Sequence, residues 1–394
     1  MGASGLGAVP ASDRTEAALS SCGDVSSLAE GWDALAARAL EPNVFLSRWM
    51  AEARLRHLPD RSRARILAAF RGAGGERRLV GLSLLVPARG RRFNPLPVLR
   101  TAELYAPLST PLLDPDRPAE IWRAMLDALG RAGVPGLALP HVAADGPVAA
   151  ALREAADGGG FPLASLGRHR RAVLDSDLGG AAYLQATLER RRRREFDRQR
   201  RRLAELGPLD FVVSSGADRG QALADFVALE AAGWKGRSGT ALAQAAGAEA
   251  YFREIADRAP PGDFRIASLR LGGRPVAAGL VAVAGRRAFY VKTSYDETLA
   301  RFSPGLLLTL DLTAHLLDDR SIDGADSVAD ADHPMIDRVW SERMSVESCL
   351  VGTRAGAGIA YLAALSAERG REAAIGAARA LTRRGGTSRP PERP

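Results

Sequence analysis

Lysine is nearly absent from this chain. Of 54 basic residues among 394, only Lys235 and Lys292 are lysine, and the others are arginine. Arginine stays charged and forks across carboxylates or phosphates, whereas lysine is a compact ammonium that titrates when buried. A biased composition would leave two survivors anywhere; the sharper reading is that an ammonium is wanted at those two positions. Cysteine is equally scarce. Cys22 and Cys349 stand alone, which excludes a disulfide framework or a zinc cluster. There is no P-loop and no Gly-x-Ser-x-Gly elbow, and neither cysteine sits in a nucleophile motif. Apolar runs stay short of the ~18 residues of a membrane span. Met1–Ser21 lacks a basic segment followed by an apolar core, so a frayed start is expected and not a signal peptide. These absences fit a reducing, cytoplasmic setting.

What is present is ordinary globular material of two to three domains' length, with 46% hydrophobic and 25% charged residues. The net charge of +8 is concentrated in one place. Nine arginines between Arg190 and Arg202, less Glu195 and Asp197, leave +7 there. The remainder is close to neutral, which argues for one local basic element and against a protein-wide nucleic-acid surface. Leu188, Phe196 and Leu203 give that segment a thin apolar stripe, so a solvated helix face is the plain reading.

Apolar periodicity and turn residues set the elements. Helices are expected at Ser27–Leu40, Leu46–His57, Ala119–Arg131 and Pro147–Asp157. Strands are expected at Arg65–Phe70, Leu79–Val86, Val98–Leu104, Gly136–Leu139 and Arg171–Leu174. After a linker at Asp175–Gly180 the order repeats. A long helix Ala181–Leu206 leads to a strand Leu209–Val213 and helices Gly220–Ala232 and Ala248–Arg258. A three-stranded meander follows, Phe264–Leu271, Pro275–Ala284 and Arg287–Thr293, then a helix 304–318. A strand near Gly324–Val328, a short helix Pro334–Trp340 and a strand Ser345–Leu350 close the second half. Residues 357–384 read as a terminal helix and Gly385–Pro394 as a disordered tail. The sequences of the halves are not visibly alike, so the repeat is one of structure only.

The stretch 264–318 carries the chemistry. A helix start leaves backbone N–H groups unpaired and presents the positive end of a dipole, which suits a phosphate. Ser303 can cap, Pro304 loses no needed donor, and Gly305 lets an anion approach without meeting a Cβ. Arg301 lies just upstream. Tyr290 and Lys292, two apart, are expected on one face of their strand.

The segment from about Arg193 to Trp340 resembles the GNAT-type acyltransferase domain of cellulose-biosynthesis CelD-like proteins, distantly similar to the FemABX peptidyltransferases. The resemblance rests on Arg193-Arg194 through Arg202-Leu203, Leu229-Glu230 with Trp234-Lys235-Gly236, and Ile266–Leu271. It continues through Gly273–Ala277, Tyr290-Val291-Lys292, Tyr295-Asp296, Arg301–Gly305 and Trp340. It departs from the family at Asp326–Pro334, where an acidic–glycine turn is usual. The resemblance implies an α/β (α+β) fold of tandem GNAT-like domains, each a mostly antiparallel mixed sheet flanked by helices. Expected bounds are a flexible N-terminus 1–24, a non-catalytic N-terminal domain 25–175, a catalytic domain 176–355, and a helix and tail 356–394.

The implied activity is acyl transfer from acetyl-CoA or another acyl-CoA to an amine or hydroxyl, with a small-molecule or glycan-precursor acceptor. Tyr290, Arg301, Ser303, Gly305 and Leu306 would hold the cofactor. A backbone N–H in Phe289–Lys292 would polarise the carbonyl. Asp296 is a candidate base, Tyr295 a candidate acid, and Lys292 offsets phosphate charge or pairs with an acid. Glu230, Trp234 and Lys235 line the acceptor side, with Trp234 over the core and Lys235 outward. Asp330, Asp332 and His333 lack a convincing ligand set, so no metal is expected. Two alternatives stand beside this reading. One is an aminoacyl transferase using tRNA through Arg190–Arg194, although without interleaved aromatics base stacking is poorly supported. The other is a non-catalytic module binding an anionic polysaccharide or a protein partner.

Overall fold

The computed structural model describes residues 14–72, 77–88, 98–102 and 104–385. The expected tail beyond Gly385 and residues 1–13 lie outside them. In the first half the elements are β1 (Thr15–Ser21), α1 (Ala29–Arg38), α2 (Arg48–His57), β2 (Arg65–Arg71), β3 (Arg78–Pro87) and β4 (Leu99–Thr101). These lead to β5 (Leu112–Leu113), α3 (Pro118–Arg131), β6 (Gly136–Ala143), α4 (Pro147–Gly159) and β7 (Leu163–Leu174). The second half holds α5 (Gly180–Thr187), α6 (Arg190–Ala204), β8 (Leu209–Ser214), α7 (Arg219–Ala232), α8 (Trp234–Arg237) and α9 (Ala248–Arg258). It continues with β9 (Phe264–Leu271), β10 (Arg274–Ala284), β11 (Arg287–Tyr295), α10 (Pro304–Asp318), β12 (Gly324–Asp326), β13 (Glu342–Gly352) and α11 (Ile359–Gly385).

All strands join one mixed sheet in the order β1-β2-β3-β4-β6-β13-β7-β12-β11-β10-β9-β8, with β5 beside β3. Pairing is antiparallel except for β4 with β6 and β11 with β12. Read inward from each edge, the halves match strand for strand: β1, β2, β3, β4, β6 on one side and β8, β9, β10, β11, β12 on the other. Their last strands are exchanged. β13 lies against β6 of the first half, and β7 lies against β12 of the second. The long β7–β13 ladder joins the halves at the centre.

Two expectations fail here. Thr15–Ser21 is not frayed; as β1 it pairs residue for residue with β2, and Ala17 is buried under α3. The expected single helix Ala181–Leu206 breaks at Leu188, whose extended backbone lets its side chain join Phe196 and Leu203 in the core. Ahead of the break, Gly180 meets α10 so closely that a Cβ would collide with Ala314. The arginines of α6 remain mostly on the solvent side.

Each half of the sheet is covered on both faces. In the second half one face packs under α10, α5 and α6. The other packs under α7 and α9 together with Val44, Phe45, Met50 and Leu108 from the first half. This shared core is where the two halves meet over β11.

Candidate active site

β11 carries the site. Tyr290 faces Val281 of β10 and Lys292 faces Leu280, so Val291 is an extra residue in the ladder. Such a bulge interrupts the alternation of side chains. It overturns the expectation that Tyr290 and Lys292 share a face. Tyr290 packs toward Trp340, ring centroids 6.4 Å apart, in the core under α10. Lys292 turns the other way, to α7.

There the chain's two lysines meet. Lys235 Nζ lies 2.9 Å from Glu230 Oε1, and Lys292 Nζ donates to the same oxygen. The Glu230 side chain is fully buried. Its Oε2 accepts the Leu242 N–H at 2.8 Å, and Lys235 also donates to the Thr293 carbonyl at 3.3 Å. The expected orientations of Trp234 and Lys235 are therefore reversed. α7 stops at Ala232, and the chain turns so tightly that a Cβ on Gly236 would collide with the Ala231 carbonyl. That turn brings Lys235 inward to the buried carboxylate and leaves Trp234 exposed, its N–H held by Glu297 at 2.5 Å.

One carboxylate between two ammonium groups leaves a surplus positive charge in a partly dry place. Burial pushes Glu230 up, but the hydrogen bonds from Lys292 and Leu242 and the two ammonium charges hold it below the usual range. Burial and then the Lys235 charge push Lys292 below the usual lysine value. Lys292 therefore gives up its proton more readily than an ordinary lysine does, beside a carboxylate held in place. Tyr105, from the first half, faces the same charge: burial and then Glu230 raise its phenol. Its backbone is left-handed (φ 58°) and its ring stacks on Tyr251 at 6.1 Å.

The edge of β11 beyond these residues is open. β12 pairs only with Arg287–Phe289. From Tyr290 to Tyr295 the strand has β10 on one side and, among the described residues, no strand on the other. Among the described residues this side of the strand has no ladder partner, and the Thr293 carbonyl takes Lys235 instead. The chain then passes through a 3-10 turn, Glu297–Phe302, into α10.

Several expected roles at this turn change. Ser303 does not cap with its side chain. It is left-handed (φ 53°), whereas a side-chain cap needs extended backbone, and only its carbonyl serves, taking the Leu306 and Leu307 N–H groups. Gly305 is not an open cradle: a Cβ there would lie 3.2 Å from the Tyr295 ring and 3.6 Å from the Met335 sulfur. Leu306 is buried. Arg301 lies over the Phe302 ring, 4.7 Å from its centroid. Asp296 is committed elsewhere. Its Oδ1 accepts the Thr298 N–H at 3.0 Å and hydroxyl at 2.6 Å, and Arg274 sits 3.0 Å from Oδ2. Burial raises its carboxyl, but these partners more than offset it and hold it low. A carboxylate so occupied is a poor base. His333 caps the turn at Met335 and Ile336 through Nδ1, and burial lowers its pKa. What remains in favour of an anion is that the first turn of α10 contains no acidic residue.

Residues 190–333 match the model of the acetyltransferase (GNAT) domain. That stretch is similar to a GNAT domain. It holds α6, the bulged β11, Glu230 with both lysines, and α10, and it leaves out β13 and the whole first half. In fold the likeness is wider. FemX shares 14% identity at a TM-score of 0.54, over 82% of this chain and 95% of that one. The C-terminal domain of a protein named as a lysylphosphatidylglycerol synthetase, from Agrobacterium fabrum, shares 13% at 0.53, over 87% and 95%. Both span the two halves. Among curated proteins none matches this chain.

Within this stretch the structure joins Lys292 to Glu230 and Lys235, whereas the sequence reading placed Lys292 with Tyr295 and Asp296 instead. It adds Tyr105 from outside the domain, for which the sequence offers no signal. For the lysines a signal existed: they are the only two in the chain.

Proposed function

We propose that the GNAT domain transfers an acyl group from an acyl-CoA to an amine or hydroxyl, with Lys292 as general base. The observation that carries this is the convergence of both lysines on buried Glu230 beside the unpaired edge of β11. The residues present fit such a donor. The edge of Tyr290–Tyr295 that no strand covers suits the amides of a pantetheine arm, and the acid-free first turn of α10, with Arg301, suits its pyrophosphate. The acyl-CoA supplies a thioester, already activated.

This chain's own residues then manage the proton. Neutral Lys292 takes it from the acceptor as the new bond to the acyl carbon forms and the C–S bond breaks. The resulting ammonium is stabilised by Glu230, whose carboxylate is held in place by Lys235 and Leu242. Tyr295, against Gly305, gives its phenolic proton to the leaving sulfur and takes one back from solvent, while Lys292 releases the acceptor's proton to solvent. General-base help of this kind contributes ~10²–10⁴-fold.

Calorimetry with acetyl-CoA and CoA tests the donor. Binding is expected in the wild type, weakened about tenfold or more in Gly305→Glu, where a carboxylate meets both the Tyr295 ring and the incoming anion. No binding by the wild type, or equal binding by the variant, would overturn the reading.

A further inference from the structure

A cavity of about 420 Å³ opens at the seam of the two halves, on the Phe289 face of the sheet. Its volume falls in the usual range for small-molecule sites, roughly 300–1,000 Å³. Its inner wall includes Phe289 and Asp326, the last residues paired between β11 and β12 before the edge of β11 opens. Leu108 and Glu41 reach it from the first half, Asp145 and Asp175 stand at its rim, and Arg287 enters at the start of β11.

The arginines near this cavity mostly have partners. Arg171 is paired with Asp326 at 2.6 Å, Arg286 is forked on Asp323, and Arg343 donates to the Trp340 carbonyl at 2.6 Å. Arg287 differs. It is half-buried, yet among the described residues its guanidinium makes no hydrogen bond or ion pair. Opposite it, Glu41 Oε1 accepts the Val148 N–H at 2.9 Å, at the start of α4. Gly146 permits this approach, since a Cβ there would collide with that oxygen. Glu41 Oε2 has no such partner, and Asp145 and Asp175 form no salt bridge among the described residues. Burial pushes the Glu41 carboxyl up, and Arg287 only partly offsets this. A cation brought beside it would favour its ionised form.

We propose that this cavity binds a small cationic amino acid, its carboxylate on Arg287 and its amines toward Glu41, Asp145 and Asp175. Among the described residues, one guanidinium with no hydrogen bond or ion pair faces three carboxylates that form no salt bridge, Glu41 feeling Arg287 only at a distance; this matches a ligand with one carboxylate and two amines. Planar, bidentate recognition of the carboxylate is the use for which arginine is suited. That this ligand is the acyl acceptor rests on the proposed transferase activity; that it binds does not.

Calorimetry without acyl-CoA tests the binding, with L-lysine, L-ornithine, L-alanine, L-glutamate and 1-aminopentane as probes. L-Lysine or L-ornithine is expected to bind at least about tenfold more tightly than the other three. Arg287→Gln should weaken that binding at least about tenfold, Arg287→Lys should restore part of it, and Glu120→Gln, remote in the first half, should leave it unchanged. Circular dichroism melts confirm that the variants fold. Overturning results are no binding of either diamino acid to the wild type, equal binding by folded Arg287→Gln, or equal affinity for 1-aminopentane. A separate acetyl-CoA titration keeps the two readings apart. Arg287-dependent binding of L-lysine or L-ornithine without acetyl-CoA binding would retain the cavity and discard the transferase. Acetyl-CoA binding with no diamino-acid binding would do the reverse.

Discussion

The first and second halves follow one plan and differ most in one strand. β4 and β11 occupy the same station, antiparallel to the strand before and parallel to the strand after. β4 has three residues; β11 has nine and a bulge. The helices that follow begin alike, with left-handed Arg117 before Pro118 and left-handed Ser303 before Pro304, both at φ 53°. Yet α3 opens with Glu120, which accepts the Thr15 hydroxyl at 2.5 Å, whereas the first turn of α10 has no acid. The plan therefore supplies a sheet and a helix start, and nothing more. A site needs a strand long enough to outrun its neighbour, a bulge to turn one side chain aside, and a helix start left without its own anion.

The largest test of that contrast is Lys292→Met. It should lower kcat/KM for acyl transfer by ~10²–10⁴-fold with acetyl-CoA affinity unchanged. Glu120→Gln, at the first-half counterpart of the donor helix, should change neither. Equal losses from both would mean that the halves share the work. Next in size is Glu230→Gln. It strands two ammonium groups at a buried amide, and urea denaturation should show about 3–5 kcal/mol less stability. Adding Lys235→Met and Lys292→Met should recover much of that loss, because the three groups form one charge network. An unchanged urea midpoint for Glu230→Gln alone would refute the network.

A finer test uses pH. If Lys292 is the base, its acting form is the neutral amine, and activity should rise with pH through a value below the ordinary 10.5. Lys235→Met removes a neighbouring positive charge, favours the Lys292 ammonium, and should move that rising limb to higher pH. A limb that stays put would separate Lys235 from the proton chemistry. The sign for stability agrees. Between the lowered value and 10.5 the unfolded chain binds more protons at this residue, so its contribution to stability grows as pH rises through that window. The smallest effect is expected from neutralising Arg190, Arg191, Arg192 and Arg194 together to Gln, with acyl transfer to a small acceptor changed less than about twofold. Salt-sensitive RNA binding that this variant loses would instead favour the aminoacyl-tRNA reading.

Legibility in the sequence followed how local each feature is. α9 and α10 stand at their expected bounds because apolar spacing and a Pro start define them within one segment. The meander was legible from its turns, with Gly272 and Gly273 both at positive φ. β7 was read only at Arg171–Leu174, since Gly167, Arg168 and His169 look like a loop until β13 pairs with them. The bulge at Val291 is a matter of register between two strands, and no residue there announces it. For the same reason Asp296 looked free and Ser303 looked like a cap. Glu230 and the two lysines were each visible, but their meeting depends on α7 crossing β11, which the sequence does not encode in any one stretch.

The exchanged strands bear on how the chain comes apart. A cut in the segment between β7 and α5 would leave two polypeptides, each carrying the strand that completes the other's sheet. Neither should be stable alone, and mixed together they should clasp into one functional particle. The same chain thus reads as a covalent heterodimer, a ready template for a split reporter in which acyl transfer returns only when both pieces meet.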